Sequence, residues 1–125
     1  MPEERYRPDF DKRGGLVPTV VQDANSGKVL MLGWINREAW DQTLASGRAT
    51  FWSTSRDSLW EKGSTSGDWL KVIEVLVDCD DDTVLYRVEP QGQGACHTKN
   101  DAGQTRQSCF FRRVGPDGSL VNLDP

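Results

Sequence analysis

Hydrophobic and polar positions alternate over short stretches of this chain, a pattern that is typical of β-strands. Apolar and β-branched residues concentrate in these stretches, and we expect strands at residues 17–22, 29–34, 49–53, 70–79, 83–88 and 109–114. Residues 23–27, Asp-Ala-Asn-Ser-Gly, carry turn chemistry between the first two stretches, which favours a hairpin. The pattern therefore predicts a mainly β protein.

One segment has the pattern of a helix instead. Asn36 is placed as its N-cap, Ile35 and Trp40 are placed as a hydrophobic staple, Leu44 continues the apolar stripe, and Gly47 ends it. We expect about three turns of helix here. Together with the strands, this predicts an α+β fold, mainly β, with one or two short helices and a mixed or antiparallel sheet.

Length and charge limit the possible classes of protein. The chain has 125 residues, which suits one domain with one core, and we expect an N-terminal arm at residues 1–15 followed by a single domain at residues 16–125. The net charge of −4, with scattered lysines and arginines, argues against nucleic acid as a partner but allows one small anionic ligand. No apolar run has the length of a signal peptide core or a membrane span, so we expect a cytoplasmic location without membrane contact.

An acidic run, Asp78-Cys79-Asp80-Asp81-Asp82, places hard carboxylate ligands beside a soft thiolate. On an extended strand, Asp78, Asp80 and Asp82 would project from one face. Three carboxylates repel one another unless a cation neutralises them, so this segment is a candidate binding site for Mg²⁺. The alternative is a solvated acidic turn that joins two strands.

The chain has three cysteines, and a reducing compartment makes thiolate chemistry or burial a better explanation for them than disulfides. Cys79, Cys96 and Cys109 lack the close pairing of a local zinc module, so a shared zinc site would be assembled by the fold or across two chains. Zinc with three thiolates keeps a fourth position for water, whose pKa falls from about 16 towards 7. The alternative is three small buried residues.

His97 is the only histidine and is adjacent to Cys96. It can serve as a fourth zinc ligand or as a proton-transfer group. Neighbouring side chains on an extended chain diverge, which favours proton transfer, although the sequence leaves both roles open.

Residues 51–67 concentrate hydroxyls, cations, glycines and aromatic rings. This mixture suits binding of phosphates and stacking of a flat ring, although such a run is also typical of an ordinary loop. The candidate substrate-binding residues are Ser53, Ser55, Arg56, Trp60, Lys62, Thr65, Ser66 and Gly67.

Four motifs stand in order along the chain: Trp60-x-Lys62-Gly63-x-Thr65-Ser66-Gly67, Asp78-Cys79-Asp80-x-Asp82, Gly94-Ala95-Cys96-His97-Thr98 and Ser108-Cys109-Phe110. Together they strongly resemble the phosphoribosyl-AMP cyclohydrolase family of histidine biosynthesis, in its stand-alone form. The resemblance extends from about residue 16 to residue 114, although residues 99–107 lengthen the connection between the last two cysteines.

The resemblance implies an activity and a set of roles. The expected reaction is hydrolysis of the N1–C6 bond in the purine ring of 1-(5-phosphoribosyl)-AMP, with zinc-bound hydroxide as nucleophile and the phosphoribosylformimino-AICAR phosphate as product. The family also implies a small pseudobarrel and an intertwined homodimer whose zinc site is shared between chains. Matched by position, the roles are zinc thiolates at Cys79, Cys96 and Cys109, magnesium carboxylates at Asp78, Asp80 and Asp82, and a catalytic histidine at His97.

Two other classes of protein stay open on the sequence. A structural zinc-binding interaction module would use the three cysteines and His97 as a closed site. A nucleotide-binding regulator without catalysis would use only the loop at residues 53–67.

Overall fold

A computed structural model describes residues 5–125 and shows a mainly β fold with one α-helix. A short 3-10 helix, Phe10–Arg13, precedes the first strand. No helix in the described part of the chain is long and apolar enough to cross a membrane. In chain order the elements are β1 (Val17–Asp23), β2 (Val29–Ile35), α1 (Arg37–Ser46), β3 (Thr50–Ser53), β4 (Ser58–Glu61), β5 (Leu70–Val77), β6 (Val84–Pro90), β7 (Arg112–Val114) and β8 (Leu120–Asn122).

The main sheet is mixed and open, with the strand order β2-β1-β6-β5. β2 runs antiparallel to β1, β1 runs parallel to β6, and β6 runs antiparallel to β5. The pairs β3–β4 and β7–β8 form two separate hairpins. The predicted β1–β2 hairpin and the predicted mixed character of the sheet are confirmed.

The core lies on one face of the main sheet. Alternate residues of β1 and β6 are buried there, including Val17, Val21 and Tyr86, as the period of two along a strand requires. β3 contributes Phe51, whose ring lies so close to Gly33 of β2 that a Cβ at Gly33 would overlap it. Gly33 therefore allows the β3–β4 hairpin to approach the sheet closely.

The predicted helix forms with the predicted ends. Asn36 Oδ1 accepts a hydrogen bond from the Ala39 backbone N–H at 2.9 Å, and Gly47 takes the left-handed conformation with φ of 73°. Ile35 and Trp40 are both buried, as expected of a staple. These local signals fix the helix because each depends on residues within one turn of its ends.

The prediction for Leu44 is wrong, since this side chain is 46% exposed. The helix buries Thr43 in its place. The Thr43 hydroxyl accepts a hydrogen bond from the Thr50 N–H at 3.0 Å and bonds to the Thr50 carbonyl oxygen at 3.2 Å. A satisfied hydroxyl can be buried without the usual desolvation cost, so a polar residue faces the core here.

Several strand ends differ from the prediction, most of them by one residue. The larger differences are that β5 ends at Val77 rather than at residue 79, β6 ends at Pro90 rather than at residue 88, and the last predicted strand begins only at Arg112 rather than at residue 109. The sequence also gave no signal for β4 and β8. Both are short and partly or wholly exposed, and they are held by pairing with β3 and β7 rather than by a buried apolar face of their own.

The predicted N-terminal arm packs against the acidic run. Residues 1–4 of this arm lie outside the described residues. Phe10 is buried in the core, and the Asp9 backbone N–H donates to the Asp81 carbonyl oxygen at 2.7 Å. The Tyr6 hydroxyl donates to Asp81 Oδ1 at 2.6 Å. Residues 6–10 therefore lie on the loop that follows β5.

Candidate functional site

A cavity of about 490 Å³ collects side chains from four separate parts of the chain. It contains five of the predicted substrate-binding residues together with the predicted catalytic histidine and one predicted zinc ligand. Thr65, Ser66 and Gly67 do not line this cavity and lie in an exposed turn. The lining residues are Met31, Ser53, Ser55, Arg56, Trp60, Lys62, Ala95, His97 and Cys109.

Cys109 reaches this cavity because the chain around it is attached to β2. The buried Ser108 hydroxyl donates to the Val29 carbonyl oxygen at 2.7 Å, and the Cys109 N–H donates to the Leu30 carbonyl oxygen at 2.7 Å. These bonds hold the last cysteine at the edge strand of the sheet, beside Met31.

The long connection at residues 99–107 folds back as an ordered hairpin. The Ala95 N–H donates to the Gln107 carbonyl oxygen at 3.0 Å, and the Asn100 N–H donates to the Gln104 carbonyl oxygen at 2.9 Å. At Gly94 a Cβ would overlap the Arg106 carbonyl oxygen, so this close approach needs glycine. The insertion therefore returns the chain to its starting point and leaves Cys96 beside Cys109.

The two sulfurs interact with each other. Burial would raise the pKa of the Cys96 thiol, but hydrogen bonds from Thr98 and Cys109 and the charge of Arg106 outweigh burial and hold that pKa below its usual value. Burial, followed by the charge and hydrogen bond of Cys96, raises the pKa of Cys109 to about 11, and the Lys62 ammonium partly offsets this. Two adjacent sulfurs that resist joint ionisation form a pair that a soft divalent cation would stabilise.

Cys79 is not part of this pair within one chain. Its side chain is exposed on the loop after β5. Among residues 5–125, only one group of three or more His, Cys, Asp or Glu side chains has its ligand atoms close enough together to hold one metal ion. This group is the acidic cluster, which contains no cysteine. A single copy of the chain therefore offers two of the three predicted zinc thiolates at one place.

The three carboxylates do meet, although not by the predicted route. One oxygen of each lies within 4.8 Å of the others. The segment is a turn rather than an extended strand: Asp81 has φ of 59°, and Asp78 Oδ1 accepts hydrogen bonds from the Asp82 N–H at 3.0 Å and the Thr83 N–H at 3.1 Å. The carboxylates therefore lie close together because the chain turns here, and not because they alternate along one face of a strand. The cluster consists of Asp78, Asp80 and Asp82.

Cations of the N-terminal arm already contact this cluster. Asp82 is buried, and its Oδ2 lies 3.4 Å from Lys12 Nζ and 3.1 Å from Arg13 Nη2. Desolvation would raise the pKa of Asp82, but a hydrogen bond with Asp78 and the two cations outweigh it and hold the pKa below its usual range. Lys12 Nζ also donates to the Asp80 carbonyl oxygen at 2.7 Å. The cluster favours positive charge, and the chain supplies part of that charge itself.

Lys62 is the most unusual charge in the cavity. Its side chain is only 7% exposed, and within the described residues no carboxylate lies within 4.0 Å of its ammonium. The nitrogen lies 6.0 Å from the centroid of the Trp60 ring. Because a cation on a largely buried residue is costly without an anionic partner, this arrangement indicates an anionic or electron-rich ligand in the cavity.

His97 is exposed at the cavity, whereas the preceding Cys96 is buried. The two neighbouring side chains therefore face different surroundings, the sulfur towards the protein interior and the imidazole towards solvent. This places the imidazole where it can contact a ligand in the cavity.

Sequence reasoning assigned no role to several residues that build the site. Thr98 and Ser108 belong to the motifs already quoted, but only the structure shows that one contacts Cys96 and the other holds Cys109 on β2. Arg106 lies in the insertion and gave no signal, because its contacts depend on the register of that hairpin.

Comparisons with known proteins agree with the motifs. The family model described as phosphoribosyl-AMP cyclohydrolase matches residues 31–111. A phosphoribosyl-AMP cyclohydrolase of Desulfatibacillum aliphaticivorans is 50% identical over 117 residues, covering 94% of this chain and 89% of that protein. Proteins of the same name from Desulforapulum autotrophicum and Hyphomonas neptunium are each 53% identical, over 85% and 94% of this chain and 80% and 82% of their own lengths.

Proposed function

Because the chain belongs to the phosphoribosyl-AMP cyclohydrolase family, we propose that it is the enzyme that opens the purine ring of 1-(5-phosphoribosyl)-AMP in histidine biosynthesis. Hydrolysis of the N1–C6 bond would give the phosphoribosylformimino-AICAR phosphate in the cytoplasm. The observation that carries this proposal is the single cavity that joins Lys62, His97 and Cys109. Ultraviolet absorbance during incubation with phosphoribosyl-AMP tests it, since a nucleotide-binding regulator or a structural zinc module would leave the spectrum unchanged.

For the first metal, we propose a zinc site made of Cys96 and Cys109 from one copy of the chain and Cys79 from a second copy. The donor chemistry fits zinc, since thiolates are its preferred ligands and the paired sulfurs disfavour joint ionisation without a cation. The exposure of Cys79 away from that pair supports a contribution across an intertwined homodimer. When bound, zinc lowers the pKa of a coordinated water and so supplies the nucleophile.

His97 would move the protons of the reaction. Opening the ring requires that water add its oxygen to C6, that the N1–C6 bond break, and that N1 gain a proton. An imidazole at the cavity wall can accept the proton of the attacking water on a ring nitrogen and return it to N1. The different surroundings of His97 and Cys96 support this role over direct coordination.

The loop between β3 and β4 and the start of the following turn would orient the nucleotide. Trp60 offers a flat face for the base, and Ser53, Ser55, Arg56 and Lys62 offer donors to the phosphates from the cavity wall. Thr65, Ser66 and Gly67 lie outside the cavity and would reach only the part of the substrate that projects from it. Fixing the ring against the nucleophile would supply much of the rate enhancement.

For the second metal, we propose Mg²⁺ on Asp78, Asp80 and Asp82. Their clustered oxygens fit a hard cation, although Mg²⁺ would share Asp82 with the arm. We expect Asp80→Ala to retain zinc and lose the dependence of its rate on Mg²⁺, because only the carboxylate cluster changes. Zinc content and Mg²⁺ titrations of the rate measure the two effects, and Asp117→Ala, in the exposed turn before β8, is the matched control. Loss of zinc in Asp80→Ala would contradict separate sites.

The contacts of the arm predict competition for this second site. Lys12 and Arg13 contact Asp82, so the double substitution Lys12→Gln and Arg13→Gln should bind Mg²⁺ about five- to tenfold more tightly, the range expected when two ion pairs of roughly 0.5 to 0.7 kcal/mol each are removed. Isothermal titration with Mg²⁺ measures this change, and Lys28→Gln, exposed in the β1–β2 turn, is the control. Unchanged or weaker binding would show that the arm does not compete.

A further inference from the structure

A chain of hydrogen bonds leads from Arg106 to the sulfur of Cys96. Arg106 Nη1 donates to Thr98 Oγ1 at 3.1 Å, and Thr98 Oγ1 lies 2.9 Å from Cys96 Sγ. The Thr98 backbone N–H also approaches the same sulfur, at 3.4 Å. Arg106 itself does not line the cavity, so its hydrogen-bonded route to the proposed site runs through Thr98.

The direction of these bonds follows from the donor inventory of each group. A guanidinium only donates, so the Thr98 hydroxyl must accept from Arg106. Among residues 5–125 the single proton of the Thr98 hydroxyl has no other acceptor than Cys96 Sγ, and a thiolate, the form in which cysteine binds metal, can only accept. The threonine is therefore held as a donor to the sulfur.

Arg106 is fixed on its other sides as well. Its Nε donates to the Asp124 carbonyl oxygen at 3.0 Å, and its guanidinium lies 4.1 Å from the centroid of the Phe111 ring. Its backbone pairs with residues 96–98. The Cys96 N–H donates to the Arg106 carbonyl oxygen at 3.1 Å, and the Arg106 N–H donates to the Thr98 carbonyl oxygen at 3.1 Å. The side chain is thus held in one orientation.

We propose that Arg106 is a positioning residue for the proposed zinc site, orienting the Thr98 hydroxyl so that it donates to Cys96 and holds that sulfur in the direction of the metal. The inference rests on the proposed function. Groups that hydrogen-bond to a metal ligand orient it, and their loss typically weakens metal binding by 10- to 100-fold. The long insertion therefore contributes a residue to the metal site rather than only extending the connection.

The test is zinc affinity, measured by competition with a chelator on the full-length protein. Arg106→Met and Thr98→Val should each bind zinc about 10- to 100-fold more weakly than the unchanged protein. Thr98→Ser keeps the hydroxyl and should bind normally. The losses of Arg106→Met and Thr98→Val should not add in the double variant, because the hydrogen bond of the arginine reaches Cys96 through the threonine. After cobalt substitution, Arg106→Met and Thr98→Val should also shift the sulfur-to-metal charge-transfer band.

Arg112→Met is the matched control, because Arg112 lies 5.4 Å from the same Phe111 ring but belongs to β7. Normal zinc affinity in both Arg106→Met and Thr98→Val, or additive losses in the double variant, would overturn the inference. Zinc binding by the unchanged protein and its loss in Cys109→Ala test the metal site separately, so failure of those two results would overturn the proposed site and this inference with it. Should Arg106→Met fold poorly, the comparison of Thr98→Val with Thr98→Ser decides alone.

Discussion

We expect co-expression of Cys79→Ala with Cys109→Ala to restore the zinc binding and activity that each variant should lack by itself. Each single variant removes one thiolate from every proposed site, so zinc and activity are lost together. In a mixed dimer, one site combines the intact Cys79 of one copy with the intact Cys96 and Cys109 of the other. Random pairing of the two variants therefore gives about a quarter of the normal number of sites. Zinc content per chain and the ultraviolet assay measure the recovery.

The pair Cys96→Ala and Cys109→Ala is the matched control. Both of these cysteines lie together in one chain, so every dimer formed by that mixture has two broken sites. No recovery is expected there. If neither mixture recovers activity while Cys79→Ala alone retains zinc, Cys79 is not a ligand. If Cys79→Ala loses zinc but the first mixture does not recover, the three cysteines act within one chain, contrary to the distribution of their side chains.

Lys62→Met should lower kcat/KM by about 10- to 100-fold, because it removes a charged donor to the phosphates of the substrate, an interaction of about 1.5–3 kcal/mol. The same change should raise the urea concentration at the midpoint of unfolding. Methionine keeps an apolar side chain of similar length, and it removes the ammonium of a largely buried residue that has no carboxylate partner within the described residues. Lower activity together with higher stability identifies a residue whose charge contributes to ligand binding or catalysis and not to the stability of the fold.

Lys71→Met is the control for this prediction, since Lys71 is exposed on β5. It should change neither kcat/KM nor the unfolding midpoint. A fall in both quantities for Lys62→Met would show that the ammonium is structural, and full activity would exclude it from the reaction. A selective rise in KM would assign Lys62 to phosphate binding, whereas a fall in kcat would place its charge at the reacting ring.

Parts of the fold that depend on neighbouring residues were predictable. The Asn36 cap, the Gly47 terminator and the β1–β2 hairpin use signals that lie within a few residues of one another. Strand β4 was not predictable in this way, because its stability comes from pairing with β3 and its own residues are mostly exposed. The prediction that Leu44 continues the buried stripe of the helix failed for a related reason. The hydrogen bonds to the Thr50 backbone allow Thr43 to be buried in its place.

The acidic cluster shows that a correct expectation can have a wrong cause. The sequence supplied the carboxylates, and their proximity followed from a turn in which Asp78 accepts backbone N–H groups. Strand alternation had predicted the same proximity by a different geometry. Only the structure showed that Lys12 and Arg13 of the arm share this cluster, because that contact joins residues about 70 positions apart in the chain.

The sequence by itself determined the chemistry that is available: which thiols, carboxylates and cations the chain carries, and which family its motifs indicate. The tertiary structure decided which of these groups meet. Cys96 lies beside Cys109 because Gly94 lets the insertion approach and Ser108 bonds to β2, whereas Cys79 stays apart on the loop after β5. Such encounters depend on strand register and close backbone approach between distant segments, which no local pattern of side chains specifies.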